Sequence, residues 1–266
     1  MDKILQTLLE KVADLHGVPE GAYNIRANGQ MAGRNTTANI DIVTREDGKG
    51  IDVHIKPGTK KESVHIPVIL SQTGLNETVC NDFFVGDDAD VTIIAGCGIH
   101  NGGDMESEHD GIHRFFVGKN AKVKYVEKHY GDGDGKGERV MNPRTEITMD
   151  EGSYMEMESV QIKGVDSTKR DTVAHLAAGA KLVVQERLMT HGRQDAESRF
   201  DVCTGKIPVP TSFPGLWPGI SPTSPSTPIF RAIACVPVIR NAMRSSWTKQ
   251  RSALFRRSRQ TIRMRP

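Results

Sequence analysis

Four side chains of the borderline-soft kind that hold zinc or iron fall within 17 residues: Cys97, His100, His109 and His113. Two readings stand. Either the four close on one metal ion, or they belong to a polar, glycine-rich loop that begins at Ala95-Gly96-Cys97-Gly98 and turns its histidines to solvent. Their spacing matches no zinc ribbon or finger. On a helix His109 and His113 would share a face, but the nearby glycines favour loop or strand. A second glycine-rich run, Gly131-Asp132-Gly133-Asp134-Gly135-Lys136-Gly137, lacks the ligand register and flanking helices of a calcium loop. It also lacks the spacing of a phosphate-binding P-loop, so it reads as a turn between Tyr130 and Val140. Glu156 and Glu158 lie along one strand and read as a solvated face. With no nucleotide-hydrolysing motif and no nucleophile elbow, the chain reads as a non-enzyme with no catalytic residue.

The elements that must position these groups declare themselves by repetition. A turn residue, Ala or Ser, then alternating apolar residues recur at Asp88-Ala89-Asp90-Val91-Thr92-Ile93, Asn120-Ala121-Lys122-Val123-Lys124-Tyr125, Gly152-Ser153-Tyr154-Met155-Glu156-Met157 and Gly179-Ala180-Lys181-Leu182-Val183-Val184. The Ala/Ser positions are 32, 32 and 27 residues apart. A turn followed by period-two alternation is a half-buried strand. Repeats at this period stack, each burying its face on the next. The pattern predicts a β-solenoid; the competing architecture is a sandwich of four similar hairpins.

Before the repeats, Asp2 to Leu15 carries an apolar stripe of Ile4, Leu5, Leu8, Leu9, Val12 and Leu15 and reads as a helix packed on the first coil, with Asp2 as N-cap and Gly17 beyond its C-terminus. Residues 38–43, 51–55 and 63–70 read as strands, with His54 and His65 as surface or satisfied histidines.

Composition splits the 266 residues in two. From Cys203 to Pro266 there are eleven Lys/Arg, no Asp or Glu, nine of the thirteen Pro and no His. The first 202 residues hold 24 of the 35 basic and all 33 acidic residues, a net charge of −9. The domain reading is a helix and linker over 1–22, a β-helix core over 23–202 and a Pro/Arg-rich tail over 203–266. Close-spaced prolines remove ladder donors, so no ordered strands are expected in the tail. Residues 1–16 lack the apolar core of a secretory signal, and no apolar run is long enough for a bilayer. Four irregularly spaced Cys then suggest reduced thiols in a cytoplasmic protein.

Several blocks together resemble the SufB/SufD family, scaffolds of the SUF iron–sulfur cluster assembly system, in its short single-domain form. They are Cys97-Gly98-Ile99-His100-Asn101, His109-Asp110-Gly111-Ile112-His113, Val126-Glu127-Lys128-His129-Tyr130-Gly131, Gln161-Ile162-Lys163-Gly164-Val165-Asp166-Ser167-Thr168 and Met189-Thr190-His191-Gly192. The resemblance covers residues 1–202. It implies a right-handed parallel β-helix, dimerisation with itself or a SufB/SufD paralogue, a separate SufC-type ATPase as partner, and a transient iron–sulfur cluster as cargo. The absent P-loop agrees with a separate ATPase.

After Val202 the resemblance stops. The family continues with further coils, a Gly-His-(Ser/Thr)-Glu-Cys-Asp block that handles the cluster, and a helical end that docks SufC. One set of permitted codons for Pro237 to Thr248, read in the shifted frame, spells Gly-His-Ser-Glu-Cys-Asp; codons for Cys203 to Pro218 spell a family-like segment in the same frame. The expectation is a frame loss near codon 203, with a truncated scaffold and a foreign tail. The alternative is a basic-tailed solenoid that binds nucleic acid non-specifically through phosphate neutralisation.

Overall fold

The computed structural model describes residues 3–17, 19–191 and 193–204, and the backbone of 234–244 and 254–263. Among these residues one helix, α1 (Lys3–Ala13), precedes seventeen strands. They are β1 (Ala22–Ala27), β2 (Gln30–Asn35), β3 (Ile40–Thr44), β4 (Gly50–Ile55), β5 (Lys60–Leu70) and β6 (Asn76–Val85). There follow β7 (Asp90–His100), β8 (Ser107–Val117), β9 (Lys122–Asp132), β10 (Arg139–Met141), β11 (Arg144–Met149) and β12 (Tyr154–Lys163). The last are β13 (Ser167–Leu176), β14 (Lys181–Thr190), β15 (Asp195–Thr204), β16 (Ala234–Arg244) and β17 (Leu254–Arg263).

From β4 to β15 the strands alternate between two sheets, β10 and β11 counting as one interrupted strand. One runs β17-β14-β12-β9-β7-β5-β1-β2 and the other β16-β15-β13-β10-β8-β6-β4-β3, with β11 bridging β8 and β13. After the antiparallel pairs β1–β2 and β3–β4, each coil gives one strand to each sheet, and successive coils pair in parallel, making a β-solenoid of about five turns. This is the predicted solenoid and not a sandwich of hairpins.

The recurring phrase is the coil boundary. The backbone nitrogen of Lys122 donates to Ala89 O, that of Tyr154 to Ala121 O and that of Lys181 to Ser153 O, at 2.7, 2.8 and 2.9 Å. The four Ala/Ser residues are all buried and stand one above another. The residue before each, Asp88, Asn120, Gly152 and Gly179, has a φ between 54° and 69°. Only Gly, and Asn or Asp among the rest, enters that region cheaply, which is why the turn position accepts just those types.

Inside, the core divides lengthwise. The half beside these turns is apolar. Phe83 stacks on Phe115 with centroids 4.6 Å apart, and Tyr125 meets Phe115 edge-on at 4.8 Å. Val91, Val123, Met155 and Leu182 close it from the facing sheet.

Helix α1 lies across the outer face of β5, β7 and β9, with Leu8, Leu9, Val12, Ala13 and Leu15 buried against Ile25, Ile69 and Tyr130. It explains Gly96 and Gly98. A Cβ on Gly96 would lie 2.4 Å from Val12 O, and one on Gly98 3.1 Å from the Leu8 Cβ. The run read as a glycine-rich loop is therefore the second half of strand β7, with side chains removed where the helix sits. The helix ends on Asp14 at φ 55°, not on Gly17, and Asp14 pairs with Lys128 of β9. Asp2 lies outside the described residues. Among those residues no helix is long and apolar enough to cross a membrane.

The run 131–137 is a turn only from Gly133 on, since Gly131 and Asp132 end strand β9, and its glycines serve coil stacking. Gly135 N donates to Asn101 O at 3.1 Å and Gly137 N to Gly103 O at 2.9 Å. A Cβ on Gly131 would stand 2.1 Å from Gly164 O, backbone against backbone. Gly131→Ala is expected to cost about 2–3 kcal/mol of stability through overpacking. Thermal denaturation checks it against Gly102→Ala, whose new methyl has no neighbour nearer than 3.6 Å.

The expectation of no strands in the tail does not hold for residues 234–244 and 254–263. β16 runs antiparallel to β15, and β17 antiparallel to β14. The physical reason is the unpaired edge each sheet presents at its last coil, which any proline-poor segment can extend. The prolines cluster at 208–228, whereas β17 has none and β16 has only Pro237, paired with Asp201 where the β15 register shifts. Residues 205–233, 245–253 and 264–266 lie outside the described ones.

Candidate functional site

The other half of the core is polar, an unusual content for a solenoid interior. Strand alternation puts it there. On β8, Ser107, His109, Gly111 and His113 point inward in step with Phe115 and Val117. On β9, Tyr125, Glu127 and His129 do the same after Val123. On β7 the inward residues are Ala95 and Cys97, which the parallel register sets beside Glu127 and His129.

These groups form one hydrogen-bonded network. Arg170 on β13 donates through Nη1 to Glu127 Oε2 at 2.9 Å, and its Nη2 meets His129 Nδ1 at 2.9 Å. Ser159 Oγ donates to the same carboxylate oxygen at 3.0 Å. Tyr125 Oη donates to Glu127 Oε1 at 3.0 Å and meets His113 Nδ1 at 2.6 Å. Since the tyrosine proton goes to Glu127, His113 Nδ1 carries the other proton, and its Nε2 keeps a lone pair.

Burial and charge set the protonation states. Glu127 is 2 % exposed, which alone would discourage ionisation, but the hydrogen bond from His129 and the charge of the Arg170 guanidinium beside it hold its carboxyl well below the usual carboxylate range. Arg170 carries the positive charge of the pair. Burial, then Arg170, pushes His129 down, so it is neutral. Burial also lowers His113, and drives His109 down to about 3. Burial pushes the Cys97 thiol and the Tyr125 hydroxyl up. The polar core thus holds one compensated ion pair, three neutral imidazoles and a protonated thiol.

Cys97, His109, Gly111, His113, Glu127 and His129 line a small cavity. The space open to the centre of a water-sized body is about 10 Å³, roughly enough for one water. His109 Nδ1 is buried beside it without a hydrogen-bond partner.

Of the four residues singled out by type and spacing, the structure therefore gathers Cys97, His109 and His113 and leaves His100 out. Three positions on from Cys97, His100 falls on the opposite face of β7. There its Nδ1 pairs with Asp132 Oδ1 at 2.7 Å near the surface. The four-ligand set does not assemble, and among the described residues no three His, Cys, Asp or Glu side chains are grouped to hold a metal ion. His109 and His113 are not solvent-facing loop residues either; both are buried in strand β8. Glu127, His129, Ser159 and Arg170 were missed. The repeat itself carried the signal for one of them, since an offset of 32 residues sets His129 against Cys97.

Among the remaining sequence candidates, His65 is not the surface or satisfied histidine expected: its Nδ1 is buried with no hydrogen-bond partner. His54 stacks on Phe84 at 4.8 Å. Glu156 and Glu158 lie half-exposed on the outer face and bond Gln185 and Arg187 of the next coil. Cys80 and Cys97 are free thiols, whereas Cys203 is disulfide-bonded, against the expectation of reduced thiols throughout.

Comparison with known proteins gives one informative likeness. Over 109 residues, 40% of this chain, the sequence is 27% identical to an iron–sulfur cluster assembly SufBD family protein of Methanocaldococcus jannaschii. The matched stretch spans about a third, 33%, of that protein's length. No family model and no solved structure matches. The likeness is to part of one SufBD protein, and it points the same way as the sequence blocks named above.

Proposed function

We propose that this chain is a scaffold component of iron–sulfur cluster assembly, a cytoplasmic protein that works with a separate SufC-type ATPase and pairs with itself or a SufB/SufD paralogue. The nascent cluster is its cargo. The observation that carries the reading is the agreement between the partial SufBD likeness and a parallel β-solenoid whose core holds a thiol among neutral imidazoles. A solenoid offers long, rigid sheets for partners, and the sequence has no P-loop, so nucleotide energy must come from another chain.

The test is anaerobic reconstitution with ferrous iron and sulfide, and co-purification with a SufC-type ATPase, on two chains: the sequence as it stands and one with the reading frame restored after codon 202. The restored chain is expected to retain the ATPase and to bind iron and acid-labile sulfide in equal amounts. The chain with the basic tail is expected to be poorly soluble and to lose the ATPase. Failure of the restored chain on both counts rules out the scaffold role.

A further inference from the structure

The solenoid ends in a long return of the chain. Strand β15 stops at Thr204, and β16 comes back at Ala234, set directly opposite it. From there β16 covers the free edge of β15, and β17 goes on to cover that of β14. One stretch of chain, entering after residues 205–233, thus closes both sheets at their last coil. Ordering that stretch costs the closure entropy of the long connection before it, and whatever pins the connection at its neck lowers the cost.

One rung in from the neck, the register sets Cys203 against Cys235. Residues directly opposite in an antiparallel pair have Cα atoms about 4.5–5.5 Å apart and side chains on the same face, a separation that a disulfide spans. The cysteine count agrees. The sequence holds four; Cys80 and Cys97 are free thiols, and Cys203 is disulfide-bonded. Cys235 is the one partner that remains. Alternation along β15 sends Val202 into the core and Cys203 to the other face, so the bond lies outside the polar network described above.

We infer that Cys203 and Cys235 form a disulfide that clasps the returning chain over the open end of the solenoid, and that the oxidation state of this pair sets how firmly that end is closed. Oxidised, the clasp holds β16 in register and keeps β17 close to its edge. A dithiol reductant opens it: the S–S bond takes two electrons and two protons, leaving two thiols, and the donor closes to its own disulfide. β16 is then held by its ladder alone. When it frays, β15 presents a row of unpaired N–H and C=O groups, the edge that a terminal coil must keep covered. Disulfides that form in a reducing compartment are of this transient, redox-sensing kind.

The clasp does not rest on the assembly role, and its test needs no iron, sulfide or partner. The full chain as it stands is purified without reductant, alkylated under denaturing conditions and mapped by mass spectrometry. The peptides of Cys203 and Cys235 are expected to be linked within one chain, with Cys80 and Cys97 carrying the label. Amide hydrogen exchange then compares the oxidised chain, the chain reduced with a phosphine, and Cys235→Ser. Exchange over residues 234–244 should be at least tenfold faster in the reduced chain and in the variant, with β7 to β9 unchanged. If the phosphine does not reach the bond in the folded chain, the variant decides. A link that is absent, made to another cysteine or made between two chains overturns the clasp, and so does equal exchange over 234–244 with and without the bond.

Discussion

Replacing Arg170 by Met is expected to cost about 3–5 kcal/mol of stability, among the largest effects of any single substitution in this solenoid. Arg170 and Glu127 are 4 % and 2 % exposed, and their charges meet at 2.9 Å with no water between them. The Met variant keeps much of the side-chain volume but strands a carboxylate in the core. That carboxylate must then take up a proton or pull the coil open. It would also leave Ser159 and His129 without their guanidinium partner. The Glu127→Gln/Arg170→Met double variant removes both charges at nearly constant shape and should regain most of the loss, because the penalty comes from the unpaired charge and not from a missing attraction. Urea unfolding of the parent, both single variants and the double variant closes the cycle. A loss below about 1 kcal/mol for Arg170→Met would mean that water reaches Glu127, and the dry, paired core would have to be abandoned.

The solenoid was legible because its grammar is local. Each coil needs a left-handed residue, a small residue and an alternating strand, and residues 88–93, 120–125, 152–157 and 179–184 write that sequence out four times. The site was legible only where alternation was heeded. His109 and His113, four apart, share a face of a strand; Cys97 and His100, three apart, cannot. Glycines misled because they have several uses. Gly96 and Gly98 clear a path for α1, Gly131 lets two coils touch, and neither role makes a loop. Arg170 was out of reach for a different reason. It stands 43 residues from Glu127 and in the opposite sheet, so no period in the sequence links them. The tail strands follow from the open edges of β14 and β15, a property of the folded coil that proline counting does not see.

The second large effect is expected on the acid side of neutrality. His109, His113 and His129 all have folded-state pKa values below the ordinary 6.5, chiefly from burial. For such groups the unfolded chain takes up protons first. Their contribution to stability is therefore complete above the unfolded pKa and drains away as pH falls through 6.5 toward the folded value. For His109, at about 3, the full drop corresponds to about 5 kcal/mol between pH 7 and pH 3. Glu127 acts in a lower window. Its carboxyl is held below the usual range, so its contribution is complete above the unfolded pKa near 4.5 and is lost only beneath it. The two windows separate the groups. Between pH 6.5 and 5 the loss belongs to the histidines, including His65, which burial also lowers, and the three core imidazoles alone set a limiting slope of about 4 kcal/mol per pH unit if they stay neutral in the fold. Urea midpoints measured from pH 8 down to pH 4 should fall steeply from pH 6.5, and His109→Gln should flatten that fall by about a quarter to a third while leaving the loss below pH 4.5 in place. A midpoint constant from pH 7 to pH 5 would show that the imidazoles are protonated or hydrated inside the solenoid, since three buried neutral histidines cannot be silent over that range.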